Sequence, residues 1–234
     1  MKKIIHRSIE RGIAEFGWLH SRHSFSFGQY YNPDKVNFGL LRVLNDDIVE
    51  PGEGFGTHPH DNMEIISIVL KGQLEHRDSM GNGSVINEGD VQVMSAGTGI
   101  THSEFNPSDS EKVNFLQLWI FPKERGLKPR YDQKKIDFIE NNVVKVVSGN
   151  KSDGQLYINQ DAAVYKGNLK SGKEFNFKLD KKDNGAYLFV LEGSVILDGE
   201  TLNKRDAAGI SDSDNFLILS EKDSKFIIIE TPMS

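Results

Sequence analysis

The sequence predicts an all-β protein with two similar halves, and three observations support this prediction. Short runs of apolar and β-branched residues follow one another, separated by turns that contain glycine, as in the stretch from Glu64 to Met94. Patterns typical of an amphipathic helix are few. The run "IVLKGQL" at 68–74 also aligns with "FVLEGSV" at 189–195. A repeat of this kind indicates two copies of one β-sandwich unit.

The individual strands can be placed from their apolar runs. In the first half, "EIISIVL" (64–70), "QLEHRD", "SVI" and "VQVM" (91–94) predict consecutive strands, and the alternation of Val91 and Val93 with polar residues predicts one buried face. In the second half, "FLILS" (216–220) and "KFIIIE" (225–230) predict two more. We interpret the basic segment "FPKERGLKPRYDQKKID" (121–137) between the halves as a solvated linker, with a partner-binding surface as the alternative.

Composition limits the classes of function. Among 234 residues there is no cysteine, which excludes a disulfide framework and thiolate metal sites. The net charge of -6 argues against direct binding of nucleic acid, because a phosphate backbone requires a basic surface. Neither a signal peptide nor an apolar run of about 20 residues is evident, so we expect a cytoplasmic protein that does not enter a membrane.

Two short motifs place potential metal ligands at matching spacings. His58 and His60 are two residues apart, as are His102 and Glu104. Side chains at positions i and i+2 of a strand project to the same face, and Pro59 favours an extended backbone at the residue before it. A His-x-His pair alone can be incidental, but two such strands face to face would offer three imidazoles and one carboxylate. That set of donors suits a divalent transition metal.

The remaining candidates are less clear. Glu64 has the same parity as His58, so it is an alternative carboxylate ligand, a surface residue or a hydrogen-bond acceptor for an imidazole. We interpret His23 as a structural residue or a partner of a ligand. His76, between Glu75 and Arg77, is interpreted as a surface residue. His6 and His20 carry no signal.

These motifs resemble those of the cupins. The first cupin motif is matched at Gly52, His58-Pro59-His60, Glu64 and Gly72, with one residue more than usual before the last glycine. The second is matched from Gly89 to Asn106, with Ser95 where proline is usual. Within the cupins the chain resembles the pirin family, through "HSFSFGQYYNP", "LRVLNDD", "GFGTHPHDNMEI", "DSMGN", "MSAGTGITHSEFNPS", "LQLWIFP" and "KPRYDQ".

The pirin resemblance implies two tandem jelly-roll-like cupin barrels. We place a metal-binding domain at 1–130 and a degenerate domain without a metal site at 131–234. All seven histidines lie in the first 102 residues, which agrees with this division. The resemblance implies that His58, His60, His102 and Glu104 bind the metal and that Glu64 does not. It favours Fe(II), while Cu, Ni, Mn and Zn stay open.

The resemblance also implies a function. Some pirins resemble quercetin 2,3-dioxygenases in activity, which open a flavonol with O2 and release carbon monoxide. If Glu104 loosens from the metal, it could take the proton of the substrate hydroxyl as general base. A flat aromatic substrate needs an apolar slot, and core packing is the alternative role of each candidate: Phe25, Phe27, Phe38, Phe55, Met94 and Phe105.

Two other functions compete with the dioxygenase. One is a regulatory protein whose metal controls binding to a transcription factor or a metabolic enzyme. The other is a sugar-phosphate isomerase, but the site-bearing segments supply only Arg42 and Arg77 for a phosphate. We expect a monomer, because a duplicated pair of barrels can bury its own sheets.

Overall fold

The computed structural model describes residues Met1–Ser234 and consists of β-strands with two short 3-10 helices, Ser8–Glu10 and Lys151–Asp153. No helix in it has the length and hydrophobicity needed to cross a bilayer. The first eleven strands are β1 (Lys2–His6), β2 (Gly12–Glu15), β3 (Leu19–His23), β4 (Leu41–Val49), β5 (Gly54–His60), β6 (Glu64–Lys71), β7 (Gln73–Asp78), β8 (Gly83–Asn87), β9 (Asp90–Ser95), β10 (Ile100–Phe105) and β11 (Val113–Ile120). The others are β12 (Arg130–Lys135), β13 (Asn142–Ser148), β14 (Leu156–Tyr157), β15 (Ala163–Leu169), β16 (Glu174–Lys178), β17 (Asn184–Glu192), β18 (Ser194–Leu197), β19 (Glu200–Asn203), β20 (Ala207–Ser211), β21 (Asn215–Ser220) and β22 (Ser224–Pro232).

The strands form two barrels of the same design, each from one seven-stranded and one four-stranded sheet. In the first barrel the sheet orders are β12-β9-β6-β11-β4-β3-β2 and β5-β10-β7-β8. In the second they are β1-β20-β17-β22-β15-β13-β14 and β16-β21-β18-β19. The repeated segments "IVLKGQL" and "FVLEGSV" occupy equivalent turns, at Gly72 and Gly193, both with positive φ. The predicted all-β fold with two cupin barrels is therefore confirmed.

The chain exchanges edge strands between the barrels. Strand β1 pairs with β20 of the second barrel, and β12 pairs with β9 of the first. The prediction of a solvated linker at 121–137 is therefore wrong for Arg130–Lys135, which form β12. An unpaired edge strand exposes its N–H and C=O groups, and β12 covers that edge of β9. The domain boundary between residues 130 and 131 stays a prediction.

The largest hydrophobic core lies between the two seven-stranded sheets and joins the barrels. It has 23 buried residues from both, including Ile66 and Leu118 of the first and Phe189 and Ile227 of the second. Strand β9 is consequently buried along its whole length, Asp90–Ser95. The prediction of a single buried face on this strand is wrong, because one face contacts the second barrel and the other lines the interior of the first.

Candidate metal centre in the first barrel

Three histidines meet at the end of the first barrel where β5 and β10 pair. His58 lies directly opposite His102 in this pairing, and His60 projects from β5 to the same side. The ring centroids of the three imidazoles are 4.5 to 4.8 Å apart. One nitrogen of each lies within 4.8 Å of the others. The structure thus brings together the three histidines singled out from the sequence.

Hydrogen bonds at the outer nitrogens determine which imidazole nitrogens carry protons. His58 Nδ1 is 2.8 Å from the carbonyl oxygen of Gly56, which can only accept, so Nδ1 carries the proton. His76 Nε2 is 3.2 Å from Oδ2 of Asp78, and His76 Nδ1 is 3.4 Å from His102 Nδ1. Because the carboxylate accepts from His76 Nε2, His76 Nδ1 accepts in turn from His102 Nδ1.

This arrangement leaves two lone pairs facing each other. Nε2 of His58 and Nε2 of His102 are 3.0 Å apart, and both are unprotonated in these tautomers. Burial, reinforced by the neighbouring imidazoles His58 and His60, lowers the pKa of His102 to about 2, so the ring stays neutral. Burial also lowers the pKa of His60 to about 4. Neutral imidazoles with converging lone pairs are the donors that a divalent transition metal requires, so these residues fit such an ion.

Glu104 lies two residues after His102 on the same face of β10 and is fully buried. Its Oε2 accepts from Gln117 Nε2 at 2.9 Å, and its Oε1 lies 3.3 Å from the hydroxyl of Ser67. Burial raises the pKa of Glu104 to about 7, and the charge of Asp47 adds to this effect. The carboxylate is grouped with His76 and His102, whose donor atoms lie within 4.8 Å of it, rather than with the three-histidine cluster.

His76 is the residue for which the sequence interpretation was wrong. It is not a surface residue but completely buried, and its ring stacks on Tyr131 of β12 at 4.7 Å. It shares a face of β7 with the buried Leu74, and this parity is the signal that could have revealed it. The apparent partners Glu75 and Arg77 point outward and bond to each other. His76 therefore belongs to the surroundings of His102.

A row of polar residues crosses the seven-stranded sheet in register and faces this centre. Gln92 pairs with Ser67, Ser67 with Gln117, Gln117 with Asn45, and Asn45 with His23. Ser67 and Gln117 of this row contact Glu104. Sequence reasoning did not identify this row, although polar residues in the middle of apolar strands, as in "EIISIVL" and "NFLQLWI", were its signal.

The other candidates do not join the three-histidine cluster. Glu64 is buried at the start of β6 and accepts from the hydroxyl of Ser95 at 2.7 Å, and burial raises its pKa. It is outside both groups of donor atoms. His23 is buried on β3, and burial lowers its pKa to about 4. His6 Nδ1 is 2.8 Å from the hydroxyl of Tyr187, and the exposed His20 contacts Glu15.

An apolar cavity of about 380 Å³, here called the aromatic slot, is lined by His23 and Asn45 of the polar row and by Asp47, the carboxyl whose charge acts on Glu104. Of the six apolar candidates, Phe27 and Phe55 line it, and Trp18 contributes a third aromatic wall. Phe55 pairs with Glu104 in the β5–β10 register, and Phe27 packs edge-on against Trp119, which packs on His60. The other four pack elsewhere: Phe25, Phe38 and Met94 lie in hydrophobic clusters, and Phe105 lies against Gly54.

The second barrel has no equivalent centre, and the strand register shows why. Phe216 pairs with Phe177 as His102 pairs with His58, and the two phenylalanine rings are 5.2 Å apart. Ile218, two residues after Phe216 on β21, takes the place of Glu104 and pairs with Leu197 as Glu104 pairs with His76. All four belong to the hydrophobic core of the second barrel. Apolar packing thus takes the place of the donors.

Comparison with known proteins agrees with this architecture. Residues 6–120 match the family described as Pirin, and residues 145–231 match the quercetinase C-terminal cupin domain. A protein of Escherichia coli K12 named quercetin 2,3-dioxygenase is 40% identical over 228 residues, which are 97% of this chain and 98% of that protein. A pirin-like protein of Caulobacter vibrioides is 40% identical over 222 residues, 94% of this chain and 95% of that protein.

Solved structures give the same result. The crystal structure of the bacterial pirin YhhW from Escherichia coli in complex with nickel(II) superposes with a TM-score of 0.95 at 38% identity, over the full length of both chains. A quercetin 2,3-dioxygenase from Acinetobacter baumannii shares the fold, with a TM-score of 0.78 at 21% identity, covering 97% of this chain and 85% of that chain. Relatives that match almost end to end at 40% identity show that this chain belongs to the pirin family of the cupin proteins.

Proposed function

We propose that this protein is a metal-dependent dioxygenase that opens flavonols such as quercetin with O2 and releases carbon monoxide. The observation that carries the proposal is the pair of Nε2 atoms of His58 and His102, unprotonated in the tautomers given above and 3.0 Å apart, in the same barrel as an aromatic slot. Two partly buried lone pairs at this distance repel each other unless a cation lies between them. The names of the relatives, quercetin 2,3-dioxygenase at 40% identity, support the same activity.

The ligands that we propose are His58, His60, His102 and Glu104, and the ion that we propose is Fe(II). Imidazole and carboxylate donors without sulfur suit several divalent ions, so the supply of metal decides among them as much as the site does. The nickel(II) complex of the related YhhW supports a divalent transition metal in this fold. Iron is preferred here because an imidazole and carboxylate site with open positions suits O2 chemistry and because the resemblance to pirins favours it, whereas zinc cannot change its oxidation state.

Each residue of the site has a task in this reaction. A bound redox-active ion would polarise the oxygen atoms of the substrate and exchange electrons with O2. Glu104, once released from the ion, would accept the proton of the flavonol 3-hydroxyl, and the bonds from Ser67 and Gln117 would orient its carboxylate for this transfer. Phe27 and Phe55 would cover the flat face of the substrate and exclude water.

Oxygen uptake tests the proposal. Protein loaded with Fe(II) under anaerobic conditions is expected to consume O2 only after quercetin is added, with one carbon monoxide released for each O2. The His58→Ala variant should lose this activity, whereas His20→Ala, which removes an exposed imidazole bonded to Glu15, should retain it. Absence of turnover with iron, nickel, manganese and copper in turn, or full activity of His58→Ala, would count against the dioxygenase.

A further inference from the structure

We propose that the aromatic slot binds a hydroxylated aromatic ring and that Asn45 at its floor selects this ring by a hydrogen bond to a ring hydroxyl. The substrate class, flavonols, rests on the proposed function. The hydrogen-bond requirement is new and rests on the geometry of the slot.

The carboxamide of Asn45 lacks a partner within the protein. Asn45 is 3% exposed, its Oδ1 is fully buried, and neither end of the amide forms a hydrogen bond with the chain. A buried amide in this condition destabilises a fold, and most such groups in native proteins are paired. Because Asn45 lines the slot, a ligand in the slot can supply the missing partner.

The position of Asn45 connects the slot with the metal centre. It lies opposite Gln117 in the β4–β11 pairing, and Gln117 donates to Glu104. Phe55, which also lines the slot, lies opposite Glu104 in the β5–β10 pairing, so two residues of the slot are next to Glu104 or to the residue that bonds to it. The slot is thus placed to hold one end of a substrate while the other end reaches the reacting centre.

The walls of the slot favour a flat, neutral ring. Trp18 and Phe55 meet edge to face at 5.1 Å, and Phe27 meets His23 in the same way at 5.2 Å. The volume of about 380 Å³ is within the range of small-molecule sites, about 300–1,000 Å³. No lysine or arginine lines the slot, which excludes a phosphate or another strong anion.

A phenolic hydroxyl matches the floor chemically. It can donate to Oδ1 of Asn45 or accept from its Nδ2, so it can bond to either end of the amide. A site that is built to bond a hydroxyl discriminates strongly against an analogue without one, because its own polar group is then left unpaired. A ring without a hydroxyl would leave the buried carboxamide of Asn45 without a hydrogen-bond partner, as in the free protein.

Binding to metal-free protein tests this inference. The chain has two tryptophans, so in a Trp119→Phe background the fluorescence reports Trp18 in the slot alone. The probes are quercetin and 3-hydroxyflavone, which keeps the chelating oxygens but has no hydroxyl on either outer ring. We expect the parent to bind quercetin at least about ten-fold more tightly than 3-hydroxyflavone.

The variant Asn45→Leu removes the carboxamide at similar volume and should bring the two affinities within about two-fold of each other. Gln92→Leu is the matched control. Gln92 lies in the same polar row, is 1% exposed and also has an unpaired amide, but it does not line the slot. Its removal should leave the preference for quercetin unchanged. If Asn45→Leu does not fold, Asn45→Ala removes the same group without adding bulk.

Equal affinities of the parent for the two probes, or an unchanged preference in the Asn45 variant, would overturn the inference. Neither metal nor O2 takes part in this measurement. A protein that prefers quercetin through Asn45 but never consumes O2 would therefore refute the dioxygenase and leave the slot assignment intact.

Discussion

The hydrogen-bond chain Asp78–His76–His102 predicts that Asp78, which is joined to the proposed ligand His102 through His76, controls metal affinity. Asp78 is held by four donors: the backbone N–H groups of Met80 and Asn82 on Oδ1, and the side chains of Asn82 and His76 on Oδ2. Burial raises the pKa of Asp78, but these hydrogen bonds outweigh it and lower the pKa overall. Burial lowers the pKa of His76. The pair is therefore a carboxylate and a neutral imidazole at pH 7.

The variant Asp78→Asn should reverse the protons along this chain. The two backbone N–H groups cannot change role, so they should retain the side-chain oxygen, and the new NH2 group should face His76. His76 Nε2 must then accept, Nδ1 becomes the donor to His102, and the proton of His102 moves to Nε2, where it blocks the metal. Outer-shell partners of ligating histidines are worth about 10–100-fold in metal affinity, or about 1.4–2.7 kcal/mol. We expect a loss near 100-fold for Asp78→Asn and near 10-fold for His76→Phe, which only removes the acceptor.

Competition with a chelating dye measures these affinities for Ni(II) or Zn(II). Glu75→Gln is the matched control, because Glu75 lies on the same strand with its side chain directed at Arg77 instead of the barrel interior. Its affinity should equal that of the wild type. If Asp78→Asn and His76→Phe also bound the metal as the wild type does, the tautomer assignment and the role of His76 would be refuted.

Three further predictions follow from the same structure. Burial raises the pKa of Asp47 from 3.8 to about 7, so the ionisation of Asp47 reduces the free energy of unfolding as the pH rises from about 4 to above 7. In urea unfolding of the metal-free protein, Asp47→Asn should be more stable than the wild type by up to about 4 kcal/mol at pH 8 and equally stable at pH 4. A difference that does not depend on pH would contradict this prediction. A divalent ion at 100 times its dissociation constant should raise the free energy of unfolding by about 2.7 kcal/mol in the wild type and by much less in His58→Ala, measured by thermal melting with and without EDTA. A Cβ at Gly54 would lie 2.2 Å from the carbonyl oxygen of Glu104. Gly54→Ala should therefore reduce the free energy of unfolding by about 1–3 kcal/mol and weaken metal binding. A variant with wild-type stability and metal affinity would show that β10 can move away from the added methyl group.

Local patterns in the sequence were sufficient for β6 to β9, β21 and β22 and for the histidines of β5 and β10, but not for β12, which the sequence predicted as a linker. The period of two places His58 and His60 on one face and His102 and Glu104 on another, and the structure brings the three histidines together in the β5–β10 register. The same period assigns Leu74 and His76 to one face of β7. His76 was nevertheless interpreted as exposed, because its charged neighbours in sequence were taken as its neighbours in space.

Local sequence patterns cannot decide whether Glu64 or Glu104 lies near the histidines. Glu64 and Glu104 have equivalent parity in the sequence, but the chain turns at Asp61–Met63 and β6 joins the other sheet. Glu64 therefore bonds to Ser95, while Glu104 stays beside His102. The two faces of β9 are a similar case, since nothing in "DVQVMS" shows that a second barrel covers the strand.

By itself, the sequence determined the class of the protein and the chemistry of its donors. Glycine turns between β-branched runs predict strands that pair into sheets. A chain without cysteine has no thiolate for a transition metal, and its clustered histidines and glutamate offer nitrogen and oxygen. Only the tertiary structure decided that Asp78 and His76 orient His102, that Asn45 lies unpaired at the floor of a slot, and that β1 completes the second barrel. The physical reason is that these contacts join strands far apart in the chain, and the pairing of strands and the burial of whole sheets decide them.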